Sequence, residues 1–139
     1  MSDPLDDNVA ALRTAVAHWN AGDLEGYLAL YDPEVVLHGY AGVGPGLAGV
    51  RQFYQAFWAA FPGCQLLLED ALASGAKVAC RVRLQGEHHG AFRGVAPTGA
   101  RIDVAGITIL EFRGGRCVRR WSCMDSIGLL QQLGALPSR

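Results

Sequence analysis

The sequence predicts an α+β fold, with helices first and a long antiparallel sheet after them. Up to Phe61, apolar residues recur at helical spacing. Val50, Phe53, Tyr54, Phe57, Trp58 and Phe61 make the clearest stripe, and it is largely aromatic. From Gln65 the period changes to two: Val78, Cys80, Val82 and Leu84 alternate with Ala79, Arg81, Arg83 and Gln85. At the far end, a strand running through Trp121 and Met124 meets Asp125 and leaves as a short helix ending at Gly134. Helices segregated from an antiparallel sheet define the α+β class. Such a sheet bends around its helices and leaves room for a ligand cavity between the two layers.

Residues 1–5 read as a loose tail. Asp6, Asp7 and Asn8 supply a cap and first-turn acids to a helix marked by Val9, Leu12, Val16 and Trp19. Gly22 stops it, and Asp23 caps a second helix carrying Leu24, Tyr27, Leu28 and Tyr31, which Asp32-Pro33 ends. Val35–His38 is a short strand. It opens into a loop with glycines at 39, 42, 44, 46 and 49. That loop has no G-K-[ST] and no G-x-G-x-x-G between a strand and a helix, so it reads as a flexible pocket rim and not as a phosphate cradle. Pro62-Gly63 closes the aromatic helix. Gln65–Ala73 and Lys77–His89 form a hairpin about Ser74-Gly75. A bend from Gly90 to Gly99 encloses Phe92 and Val95, and Arg101–Phe112 turns at Gly114-Gly115 into the last strand.

At 139 residues the chain reads as one domain, residues 1–139, able to bury a core without a metal or disulfide staple. A net charge of −1 argues against a nucleic-acid partner. Arg113, Arg116, Arg119 and Arg120, interrupted by Glu111, read as a solvated strand edge. No run has the length of a membrane span, and the polar, acidic start MSDPLDDN resembles no secretory signal. A cytoplasmic location is therefore expected. Cys64, Cys80, Cys117 and Cys123 fit that compartment as free thiols, and with no C-x-x-C pair no metal site is expected.

Four stretches carry a resemblance to a known family. They are Trp19-Asn20-Ala21-Gly22-Asp23, then Gly46-Leu47-Ala48-Gly49-Val50-Arg51-Gln52-Phe53, then Gly86-Glu87-His88-His89-Gly90 with Pro97-Thr98-Gly99, and finally Trp121-x-x-x-Asp125-x-x-Gly128-Leu129-Leu130-Gln131-Gln132-Leu133-Gly134. In order and spacing, from about Val9 to Leu136, the chain resembles the SnoaL-like polyketide cyclases, within the superfamily shaped like nuclear transport factor 2 and ketosteroid isomerase. The resemblance implies a cone-shaped curved sheet wrapped around a long helix, an apolar pocket at its open end, and a homodimer through the sheet. It also implies an aspartate at Asp125 acting as the acid/base of an intramolecular aldol condensation, with no cofactor.

Proton abstraction beside a carbonyl needs a base, an oxyanion donor and a dry pocket. Asp125 is the expected base; it also sits where a helix N-cap belongs, and the sequence leaves both roles open. His38 and His88 are the further catalytic candidates; neighbours on a strand face opposite ways, so only one of His88 and His89 can point inward, and the family resemblance implies His88. His18 reads as peripheral. Trp19, Tyr31, Tyr40, Tyr54, Phe57, Trp58, Thr108, Trp121 and Cys123 are the expected contacts of a small apolar ligand. Thr108 is the only side chain from Ala105 to Ile109 able to hydrogen-bond. The reading is a small-molecule cyclase or isomerase. The alternatives are a non-catalytic binder of hydrophobic ligands, or a hydrolase or hydratase using the same pocket.

Overall fold

Why the chain folds into two layers is visible in where each stripe goes. The computed structural model describes residues 4–40 and 42–137. Its elements are α1 (Pro4–Asn20), α2 (Leu24–Leu28), β1 (Tyr31–His38), α3 (Gly46–Ala60), β2 (Gln65–Ser74), β3 (Lys77–Glu87), β4 (Arg101–Arg113), β5 (Arg116–Met124) and α4 (Ser126–Gln132). The strands form one curved, unclosed sheet in the order β1-β5-β4-β3-β2. Val78, Cys80, Val82 and Leu84 of β3 are buried, as are Ile102, Val104, Thr108 and Leu110 of β4. They face Leu12, Ala15 and Trp19 of α1 and Val50 and Tyr54 of α3 in a single core. The period-two alternation is thus a physical division between an inner face and a wet outer face.

Two side chains tie α1 to the sheet. The Trp19 indole donates to the Cys64 carbonyl at 3.1 Å. Asn20 pairs with Leu66 of β2 through both ends of its amide, at 2.8 and 2.7 Å, occupying backbone groups at the sheet's edge. Asp23 caps α2, its carboxylate accepting the Gly26 N–H at 2.9 Å.

Three expectations shift. Residues 4 and 5 of the expected tail belong to α1, where a proline in the first turn costs nothing because its missing N–H has no helical partner; residues 1–3 lie outside the described residues. Tyr31 belongs to β1 and not to the second helix, which ends at Leu28. Finally, β1 joins the otherwise antiparallel sheet parallel to β5. Pro33 is tolerated there because β1 is an edge strand.

Candidate functional site

One extra residue in β5 decides what points into the curved sheet. Cys117 is opposite Phe112, but Arg119 is opposite Glu111, so Val118 has no partner of its own and forms a bulge. Before it Cys117 faces inward. After it the phase reverses, and Arg120 and Ser122 enter the core while Trp121 and Cys123 turn outward, since a slip of one residue flips every later side chain. The expectation of a solvated Arg120 is therefore corrected: the residue is 8% exposed.

Around its guanidinium the chain assembles a ring of hydroxyls. Tyr27 comes from α2, Tyr31 from β1, Tyr54 from α3 and Thr108 from β4. Tyr40 is brought over Ser122 by Gly39. This glycine has φ 84°, and a Cβ there would clash with the Ser122 carbonyl oxygen. Arg120 Nη1 donates to Tyr27 at 2.8 Å and to Tyr31. Its Nε donates to Ser122 at 3.3 Å, and Nη2 to Thr108 at 3.5 Å. The hydroxyls also bond one another. Tyr27 donates to Tyr54 at 3.3 Å, so in the 2.7 Å pair with Tyr31 the donor is Tyr31. Tyr40 meets Tyr54 at 3.5 Å and Ser122 at 2.8 Å, and Ser122 meets Thr108 at 2.9 Å.

Every acceptor around this buried cation is neutral. Among the described residues the buried polar side chains include no carboxylate. Burial works against the Arg120 charge, and attraction to the surrounding tyrosine oxygens works for it. Burial also raises Tyr31, Tyr40 and Tyr54, against the pull of Arg120. The cluster is thus one positive charge beside the protonated phenols of Tyr31, Tyr40 and Tyr54.

A second polar group lies towards the other end of the same layer. His88 follows β3 and is fully buried. Its Nδ1 accepts the Thr98 backbone N–H at 3.2 Å and contacts the Thr98 hydroxyl at 2.9 Å. A nitrogen that accepts carries no hydrogen, so the imidazole hydrogen of this tautomer sits on Nε2. Nε2 is buried and meets no partner among the described residues. Rings connect the two sites: His88 against Phe61, Phe61 against Phe57, Phe57 against Phe53, and Phe53 against Tyr40, with centroids 4.9–6.4 Å apart. The Arg93-Gly94 turn adds Phe92 against Phe57 and Phe61.

The expected site residues therefore divide into four groups. Tyr31, Tyr40, Tyr54 and Thr108 converge on Arg120. Trp19 packs edge-to-face against Tyr54 at 5.3 Å and against Trp58 at 5.0 Å. Phe57 and His88 stand along the ring path. The fourth group lies on the outer side. His38 stacks on Trp121 at 5.3 Å and 9°, pairing across β1 and β5 beside exposed Ile107, Ile109 and Cys123. Asp125 is exposed and its Oδ1 accepts the Gly128 N–H at 2.9 Å, capping α4. It borders a groove of about 440 Å³ shared with Glu69, Arg81, Arg83 and Ile107. Of its two open roles, the geometry is that of the cap. His89 is exposed and pairs with Glu87 at 3.0 Å, and His18 pairs with Asp23 at 3.0 Å on the surface.

Sequence reasoning missed Tyr27, Thr98, Arg120 and Ser122 as site residues. Tyr27 had a signal, a tyrosine four residues before Tyr31 on an apolar stripe; the bulge that turns Arg120 and Ser122 inward had none. Burial pushes the Cys64 thiol up to about 11 and that of Cys117 up to about 12, which keeps these two from acting as nucleophiles. No group of three or more His, Cys, Asp or Glu among the described residues is placed to hold a metal.

A family model described as SnoaL-like polyketide cyclase matches residues 9–133. No curated protein matches the chain. Among solved structures, the candidate hydroxylase AclR of Streptomyces galilaeus is 30% identical with a TM-score of 0.85, over 97% of this chain and 85% of its own. TsrD of Streptomyces laurentii is 26% identical with a TM-score of 0.87, over 98% and 100%. IdmH of Streptomyces antibioticus, a candidate polyketide cyclase, is 32% identical with a TM-score of 0.75, over 96% and 99%.

Proposed function

We propose, because this chain belongs to the SnoaL-like polyketide cyclase family, that it closes a ring in an apolar β-dicarbonyl compound by an aldol-type condensation. The family and its neighbours support a small-molecule, enzyme-like role. The observation that carries the finer reading is His88. A buried N–H donor with a locked tautomer and no partner is costly unless a ligand oxygen completes it.

In this reading the acceptor carbonyl of the substrate takes the Nε2–H hydrogen bond of His88. The α-carbon between two carbonyls loses its proton to water, because a flanked proton is acidic enough to leave without a buried carboxylate. The resulting enolate carbon bonds to the acceptor carbon. The acceptor's π pair moves to its oxygen, which His88 stabilises as it forms and which then takes a proton from water. Phe53, Phe57, Phe61 and Phe92 supply the apolar wall. Asp125 serves α4 and takes no part in the chemistry.

The test is ring closure of an aryl 1,3-diketone that bears a third, acceptor carbonyl; the aldol loses its α-hydrogen and new hydroxyl as water to give a conjugated enone, which is followed by absorbance. The wild type should exceed buffer. His88→Leu should return the rate to that of buffer, while His88→Gln, which keeps an N–H near Nε2, retains part of it. A wild-type rate in folded His88→Leu removes His88 from the chemistry.

A second reading, binding without turnover, is favoured by the lack of any buried carboxylate among the described residues. For assembly we propose a homodimer through the sheet, supported by the exposed outer row of Leu72, Ile107 and Ile109 beside Trp121.

A further inference from the structure

We propose that Arg120 and its hydroxyl ring form an oxyanion site, and that the natural ligand carries a delocalised oxygen anion on an apolar framework. The inference rests on the proposed function only in placing the ligand between the sheet and α3, and does not need turnover.

The charge is the first argument. A guanidinium removed from water is normally matched by a carboxylate or phosphate. Among the described residues Arg120 makes no ion pair, and its partners are the hydroxyls of Tyr27, Tyr31, Ser122 and Thr108. The interior therefore holds one full positive charge with its counter-charge missing.

The geometry says where that counter-charge would enter. On the Tyr27 and Tyr31 side the contacts are short, at 2.7–2.8 Å or less. On the other side the contacts of Arg120 itself are long, 3.3 Å to Ser122 and 3.5 Å to Thr108, and Tyr40 and Tyr54 are 3.5 Å apart, while Ser122 stays bonded to Tyr40 at 2.8 Å and to Thr108 at 2.9 Å. Nη2 has two N–H groups, and among the described residues only Thr108 meets it. An oxygen anion inserted here would gain Nη2 and would take the Ser122, Thr108 and Tyr40 hydroxyls as donors in exchange for their bonds to one another, leaving the tight side as it is. Tyr40 and Ser122 are the partly exposed members of the ring, and Tyr40 begins the glycine-rich loop, so this is the side from which a ligand would enter. Phe53 packs edge-on against Tyr40, its ring centroid 5.3 Å away, and provides the first apolar contact for the framework that bears the anion.

An enolate or phenolate and a carboxylate share this chemistry. Naphthoate, naphthol and naphthamide separate the possibilities, since they share a shape and differ in charge. Binding is read by calorimetry in the wild type, Arg120→Met, Arg120→Lys and Tyr40→Phe. The wild type should prefer naphthoate to naphthamide by at least about tenfold, the worth of a hydrogen bond to a charged group. Arg120→Met should bind the two equally. Arg120→Lys should keep the preference and Tyr40→Phe reduce it. Absorbance of bound naphthol reports whether it is held as naphtholate, which assigns the site to enolates as well as to carboxylates. Equal wild-type affinities, a preference that persists in Arg120→Met, or no binding by any of the three overturns the proposal. Charge preference without ring closure removes the proposed function alone; ring closure without charge preference removes this inference alone.

Discussion

Replacing Arg120 by methionine should leave the protein as stable as before, or make it more stable. The guanidinium is taken out of water without an opposite charge, and desolvating such an ion costs several kcal/mol. Against this stand the hydrogen bonds to Tyr27, Tyr31, Ser122 and Thr108. Hydrogen bonds from a charged donor contribute about 1.5–3 kcal/mol each at good geometry. Two of the four, at 3.3 and 3.5 Å, fall short of that. Methionine fills the stem's volume, and each hydroxyl keeps a partner in the ring, so no orphaned polar group is created. The balance predicts a change between zero and about 2 kcal/mol in favour of the variant, within the range seen when buried charges are replaced by apolar side chains. For a chain of this size that is a rise of up to about 8 °C in Tm. Thermal unfolding by circular dichroism, with urea unfolding to check that m is unchanged, makes the measurement. A loss of about 3 kcal/mol or more, the penalty for breaking a buried ion pair, would refute the argument. It would mean that Arg120 ties the core together and is not a charge held for a ligand.

Asp125→Asn should preserve the α4 cap and ring closure alike, whereas Asp125→Ala should lose about 1 kcal/mol of stability with turnover intact; a folded Asp125→Asn that no longer turns over substrate would restore the carboxylate as a catalytic base. Gly39→Ala should destabilise by more than about 1 kcal/mol, because its positive φ and the Ser122 carbonyl both exclude a Cβ, and a melting temperature equal to the wild type's would show that the turn relaxes freely. Ile109→Asp should convert the dimer proposed through the outer face to monomer in sedimentation velocity; a monomeric wild type removes that assembly.

Much of the fold was legible because its signals are local. The aromatic stripe of α3 and the alternation of β3 are each contained within one element, and so is the Gly114-Gly115 turn. Each follows from backbone period alone. The candidate site was legible only in part. Tyr31, Tyr40, Tyr54 and Thr108 were expected at a ligand and do converge; Tyr54 and Thr108 stand on inward phases of elements that were placed correctly, whereas Tyr31 does so from β1 and not from the helix expected for it. Trp121 and Cys123 were expected beside them and are not, because Val118 breaks the alternation in β5. Nothing in R-C-V-R-R-W-S-C-M marks that residue as unpaired; only the register against β4 does.

The sequence by itself determined most of the helices and strands, the start of β1 at Tyr31 excepted, that the two lie in separate layers, and that Asp125 stands at a helix start. These depend on neighbours within a few residues. Only the tertiary structure decided that Arg120 is buried, that His88 is held by Thr98 with one N–H left over, and that Trp121 faces outward with His38. Each of those depends on the phase of one strand against another, or on a loop folding back across about ten residues, and the reach of local periodicity ends before either.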